Sequence, residues 1–186
     1  MNMQWESVKK MTEILYQTAV WALGASGITA SVLSFQCKNH KKLVILRTLN
    51  EFFFGIQYFI LGAYTGVAMN FVGCGRNLIF AKMVEKNRNT MGMRIVFSLL
   101  FLIFAAYTQA GFKSILVGIA KVLSTVAYGS SNLFLVRILI FITSSSWLVY
   151  NALVGSYTGC LCEALTLGSI VLGVIRIDLP NLRKRV

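Results

Sequence analysis

The sequence predicts an all-α polytopic membrane protein of seven transmembrane helices, or six if one marginal segment does not span. Three observations carry this. The 186-residue chain is 56% hydrophobic and 13% charged, with a mean hydropathy of +0.70, where a soluble domain has about a quarter of its residues charged. Its apolar residues fall into runs of about 20, the length that crosses a bilayer core as helix. Its basic residues form short clusters between those runs, not a stripe with interleaved aromatics. That pattern argues against a nucleic-acid partner and makes the lipid bilayer the expected one.

The first run, 13–35, follows Lys9 and Lys10 as a signal sequence would. It is too long for an h-region of roughly 7–15 residues and reads as a helix that stays. Runs 43–61 and 66–84 come next, joined by Leu61-Gly62-Ala63-Tyr64-Thr65-Gly66. Run 94–110 is apolar after Arg94. Run 114–130 is the marginal one, because it holds Lys121 and leads into Tyr128-Gly129-Ser130-Ser131-Asn132. Runs 133–154 and 159–177 complete the set.

Seven spans put the two ends on opposite sides. With the N-terminus outside, the inner segments hold Lys38, Lys41, Lys42, Lys82, Lys86, Arg88, Arg94, Arg176, Arg183, Lys184 and Arg185. The outer ones hold Lys9, Lys10 and Lys113. Eleven against three is a positive-inside bias, so the expected topology is N-out, C-in, with residues 179–186 as a basic cytoplasmic tail.

The pentapeptide Gly62-Ala63-Tyr64-Thr65-Gly66 returns 93 residues later as Gly155-Ser156-Tyr157-Thr158-Gly159. Applied to the whole chain, that offset lays the first three spans on the last three and leaves the fourth unmatched. The expected organisation is a first three-helix repeat over 1–89, a linking helix over 90–112 and a second, parallel repeat over 113–178. Parallel repeats related by an axis along the membrane normal are a known transporter plan. In each copy the first glycine can end one helix, the threonine can cap the next, and the tyrosine suits the membrane interface. Tyr64 and Tyr157 are therefore read either as parts of a tight outer turn or as an outer gate.

Charges inside spans cost roughly 2.5–3.5 kcal/mol at a helix centre. Glu51 lies 13 residues before Tyr64 and Arg76 lies 12 after it. In an antiparallel hairpin both fall about 18–20 Å from the turn, at one depth. They are expected to face the interior and pair, with Arg47 competing for Glu51. The pair is either a structural pin between two helices or a solute- or proton-sensing element. The second half has Thr143-Ser144-Ser145-Ser146-Trp147 where the first has Asn50-Glu51-Phe52-Phe53-Phe54, and Ser169 stands opposite Arg76.

Asn70 and Glu163 are equivalent under the offset, as are Phe54 and Trp147, Gln57 and Tyr150, and Tyr58 and Asn151. Phe54, Asn70, Trp147, Asn151 and Glu163 are the candidate residues of a central site for a small polar solute. The competing reading is hydrogen bonding between helices. The four cysteines (Cys37, Cys74, Cys160, Cys162) and the single His40 show no metal-ligand spacing and no nucleophile–base arrangement. No catalytic residue, metal or cofactor is expected, and hence no enzyme activity.

Trp147, Asn151, Gly155-Ser156, Gly159, Glu163 and Arg176 follow W-x3-N-x3-G-S-x2-G-x3-E-x12-R. In the first half, Arg76 follows the tyrosine of Gly-Ala-Tyr-Thr-Gly by twelve residues. Over roughly residues 15–177 this resembles the YgjV-like family of bacterial inner membrane proteins, itself distantly similar to the SWEET and PQ-loop transporters. The resemblance implies an inner-membrane location and a SWEET-like architecture, and it implies no particular substrate. The chain lacks a Pro-Gln dipeptide and its sole proline is Pro180, so any hinge must rest on glycine. The expected function is a small SWEET-like transporter moving an unidentified small polar solute by alternating access. The alternative is a structural or regulatory membrane protein with no transport path. The sequence is compatible with a homo-oligomer.

Overall fold

The computed structural model describes residues 2–60, 62, 64–107, 112–154 and 157–180, without the side chains of 2–5, 7, 8, 64, 65, 113, 114, 154 and 157. The described residues form seven helices and no strand. They are α1 (Asn2–Phe35), α2 (His40–Ile60), α3 (Tyr64–Glu85), α4 (Met91–Tyr107), α5 (Phe112–Tyr128), α6 (Leu133–Val154) and α7 (Tyr157–Gly173). A π-helical turn, Val174–Asp178, continues α7.

Four stretches are long and apolar enough to cross a membrane: Lys9–Phe35, His40–Ile60, Leu133–Leu153 and Thr158–Asp178. Met91–Tyr107 and Ile115–Tyr128 are apolar but shorter. The 22-residue α3 carries Arg76, Lys82 and Glu85 among its apolar residues. The outermost pieces of two expectations lie outside the described residues, namely the basic tail from 181 onward and the second outer turn at 155–156.

The turns at the basic end follow one local rule. Asn39 Oδ1 accepts from Lys42 N, Asn89 Oδ1 from Met91 N, and Asn132 Oδ1 from Phe134 N and Leu135 N. Each asparagine satisfies a donor that a helix start leaves free. Asn87, at φ 49°, supplies the left-handed residue that stops α3, and Gly62, at φ 71°, does the same for α2.

α2 packs against both α1 and α3, and α6 against both α5 and α7. α1 meets α7 and α3 touches α5, so six helices close a ring, while α4 lies against α5 and α3. Phe35, Leu43, Val44, Phe80, Phe101, Val136 and Ile140 belong to the apolar core. The polarity is otherwise inverted from that of a soluble protein: Arg76, Arg137, Gln57 and Asn77 are buried, while Leu15, Phe59, Ile103 and Ile115 are exposed. That is the arrangement a lipid solvent selects, since polar groups must find partners inside the protein.

Several contacts recur at the 93-residue offset. Asn50 Nδ2 donates to Gly27 O at 2.9 Å, and Thr143 Oγ1 donates to Ala120 O at 3.3 Å. Arg76 Nη1 donates to Thr125 Oγ1 at 3.0 Å, and Ser169 Oγ donates to Val32 O at 2.6 Å. Gly66 packs on Tyr58, and Gly159 packs on Asn151.

Candidate functional site

Glu51, on α2, is 4% exposed. Its Oε1 lies 3.0 Å from Arg76 Nη2 of α3 and 3.6 Å from Lys121 Nζ of α5. A buried arginine is tolerable when its donors are used, and those of Arg76 are. Nη1 reaches Ser124 Oγ at 2.9 Å, Thr125 Oγ1 at 3.0 Å and Lys121 O at 3.4 Å, and Nε reaches Asn77 Oδ1 at 3.1 Å. The guanidinium also sits 5.2 Å from the Phe101 ring centroid and 5.1 Å from that of Tyr128. Gly73 makes room for the pair, because a Cβ there would collide with the Glu51 carboxylate.

Arg47 does not compete for Glu51. Its Nε donates to Tyr128 Oη at 2.7 Å and its Nη1 to Ser31 Oγ at 2.6 Å. Ser31 Oγ is in turn 2.7 Å from Thr166 Oγ1. The side chain one turn before Glu51 is thus drawn to hydroxyls across the bundle instead of to its neighbour on α2.

A polar cavity of about 50 Å³ lies inside the ring, room for about three or four waters. Phe54, Asn70, Trp147, Asn151 and Glu163 all line it, together with Glu51, Arg47, Lys121 and Tyr58. Five side chains taken from four spans of sequence therefore share one space. Asn70 Nδ2 is used locally, donating to Gly66 O at 2.8 Å. Asn151 is buried against Gly159, and Ser144 hydrogen-bonds Glu163. Trp147 packs edge-on to Tyr150, with centroids 5.4 Å apart, and its ring is 5.8 Å from Lys121 Nζ. Three buried acceptors at the cavity have no hydrogen-bond partner among the described residues: Glu51 Oε2, Asn151 Oδ1 and Glu163 Oε2.

Other expected positions are placed differently. Gln57 Nε2 donates to Val20 O at 2.8 Å and so ties α2 to α1. Tyr64 and Tyr157 open α3 and α7; their side chains lie outside the described residues. The described cysteines are free thiols, and no group of three or more His, Cys, Asp or Glu among the described residues could hold a metal.

Two residues escaped the sequence reading. Lys121 counted only as a charge that weakens a span, yet it is 4% exposed, contacts Glu51 and lines the cavity. Arg137, inside the run 133–154, is the second. It is fully buried, and its Nη1 lies 2.7 Å from Asp178 Oδ1. Its Nη2 donates to Cys37 O at 2.8 Å and its Nε to Phe35 O at 3.2 Å. This clamp ties α6 and the π-helical turn to the end of α1 at the basic end. The available signal was the same in both cases: a lone cation inside an apolar run, which persists only with a partner.

A family described as bacterial inner membrane protein, Imp-YgjV, matches residues 19–180. The chain belongs to this family. Searches of curated proteins and of solved structures returned no match. The Imp-YgjV match runs from within α1 through the π-helical turn, so it covers every residue that lines the central cavity. With several helices capable of spanning, this member of the Imp-YgjV family is a multi-pass protein of the inner membrane.

Proposed function

We propose that the protein is a small SWEET-like transporter that moves a small polar solute across the inner membrane by alternating access, with the central cavity as its site. The observation that carries this is the convergence of Glu51, Asn70, Trp147, Asn151 and Glu163 on one buried space in which three acceptors lack donors among the described residues. A buried acceptor left unsatisfied costs about 1–3 kcal/mol. The solute that fits therefore carries hydrogen-bond donors, such as hydroxyl, amine or amide groups. Trp147, Phe54 and Tyr58 supply apolar walls for its carbon skeleton. No covalent chemistry is involved.

The recurring contacts favour two parallel three-helix repeats. Asn50 on Gly27 and Thr143 on Ala120 are the same bond made twice, and Arg76 and Ser169 bridge to equivalent sites on the opposite half. In this reading α4 is the link and all seven helices span, N-out and C-in. The Arg137–Asp178 clamp then closes the cytoplasmic end, and its release is the step that opens the cavity inward.

A non-transporting structural or regulatory protein is the second reading, favoured by the small volume of the cavity and the saturation of Arg76. The two are separated by uptake in proteoliposomes, screened over small hydroxyl, amine and amide solutes. Transport of at least one class is expected, reduced at least tenfold by Asn151→Ala and by Glu163→Gln. No uptake of any class, or uptake unchanged in both variants, overturns the proposed site.

A further inference from the structure

We propose a second site, at the basic end, for the phosphate of an anionic phospholipid. It lies in the cleft between the α3–α4 and α5–α6 turns and is independent of the transport reading. The cleft measures about 280 Å³. Arg88 and Arg94 line it with Asn89, Thr90, Ser130 and Ser131, and no carboxylate is among its described lining residues. The acid nearest in sequence, Glu85, is held by Lys41 Nζ at 2.8 Å.

The cleft is organised before any ligand arrives. Asn87, in the left-handed region, turns the chain out of α3 and toward Arg88. Thr90 Oγ1 donates to Gly129 O at 2.8 Å, and Arg94 Nη2 donates to the same carbonyl. One backbone oxygen thus joins the two turns. Arg94 Nε is buried without a hydrogen-bond partner among the described residues, and it packs on Gly129 where a Cβ would intrude. Two guanidinium groups, hydroxyls and amides around one cleft form a donor-rich lining suited to phosphate oxygens.

The surroundings select a lipid over a soluble phosphate. Immediately beyond the cleft, α4 exposes Met91, Ile95, Leu99 and Ile103, all more than half exposed. These residues recur every four positions and run about 18 Å along the helix. That is about the depth of one hydrocarbon leaflet. A headgroup in the cleft places its acyl chains along this stripe, and basic pockets at such helix ends are suited to anionic headgroups.

The test uses the full-length protein in mild detergent, read by native mass spectrometry and thermal melting. Phosphatidylglycerol, phosphatidylcholine and inorganic phosphate are the probes. Phosphatidylglycerol is expected to be retained about five- to tenfold over phosphatidylcholine and to raise the melting temperature. Arg88→Glu and Ser131→Glu, both at exposed positions, are expected to abolish that preference. Lys10→Glu, on the exposed start of α1, is expected to keep it. Selectivity that survives both cleft variants, or that Lys10→Glu reduces equally, overturns the site. Stabilisation by inorganic phosphate matching that by the lipid overturns the lipid assignment.

Discussion

Arg76 Nη2 meets Glu51 Oε1 at 3.0 Å while Nη1 of the same guanidinium holds Ser124 and Thr125 of α5. One side chain on α3 therefore fastens α2 to α5, across the two halves of the ring. Removing the arginine strands a buried carboxylate beside Lys121 alone. Breaking such a pair from one side costs about 3–5 kcal/mol. Arg76→Ala is expected to lower thermal stability in detergent sharply. The exchange Glu51→Arg with Arg76→Glu is expected not to restore it, because a glutamate at 76 cannot donate to Lys121 O. A melt of the double variant at the wild-type temperature would show that only the charge pair matters.

Two neighbouring glycines give a contrast. A Cβ at Gly73 collides with the Glu51 carboxylate, while one at Gly75 meets nothing within 4 Å. Gly73→Ala is expected to cost about 1–3 kcal/mol by overpacking. Gly75→Ala is expected to be neutral or to stabilise by up to about 1 kcal/mol through helix propensity. Thermal melts of the two variants check this, and equal behaviour would contradict the packing described around Glu51.

Lys121 sets the charge of the interior. With Arg47, Arg76 and Lys121 facing Glu51 and Glu163, the cavity region holds three cations and two carboxylates. Lys121→Met is expected to leave a folded protein, because Glu51 keeps Arg76, while reducing uptake at least tenfold. Unchanged uptake in a folded variant would remove Lys121 from the site.

The Arg137 clamp holds the carbonyl of Cys37 at 2.8 Å. Burial pushes the Cys37 thiol up from its ordinary range, against the opposing pull of Lys42 and Arg137. Less thiolate is present at neutral pH, so alkylation in a variant keeping only this cysteine is expected to be slow and to accelerate as pH rises past the usual thiol range. Asp178→Asn weakens the clamp and is expected to speed labelling severalfold at fixed pH. Identical rates in the parent and the variant would mean that the clamp does not order this loop.

Helix identity was legible because apolar run length is a direct readout of the solvent each segment meets. That Glu51 and Arg76 come level with each other was legible too, since a tight turn at Gly62 sets them at nearly equal residue counts along α2 and α3. Direction around the helix axis was not. Arg47 lies one turn from Glu51 in sequence, yet Tyr128 and Ser31 take its donors, a choice made by helices far apart in the chain. The partner of Arg137, Asp178, depends on the π-helical turn after Gly173, and an added residue in one turn leaves no compositional mark. α1 starts at Asn2 instead of 13 because polar helix formers extend a helix past the apolar run that reveals it.

Two of the three anchors of Arg137 are main-chain carbonyls, those of Phe35 and Cys37. A carbonyl is present whatever residue carries it, so sequence drift at position 37 leaves this lock unchanged. Gly173 is different, because any side chain there would press on Phe35 O. Side-chain changes that undo this one clamp are therefore expected at Arg137, Gly173 or Asp178, while a change of side chain at position 37 leaves its carbonyl in place.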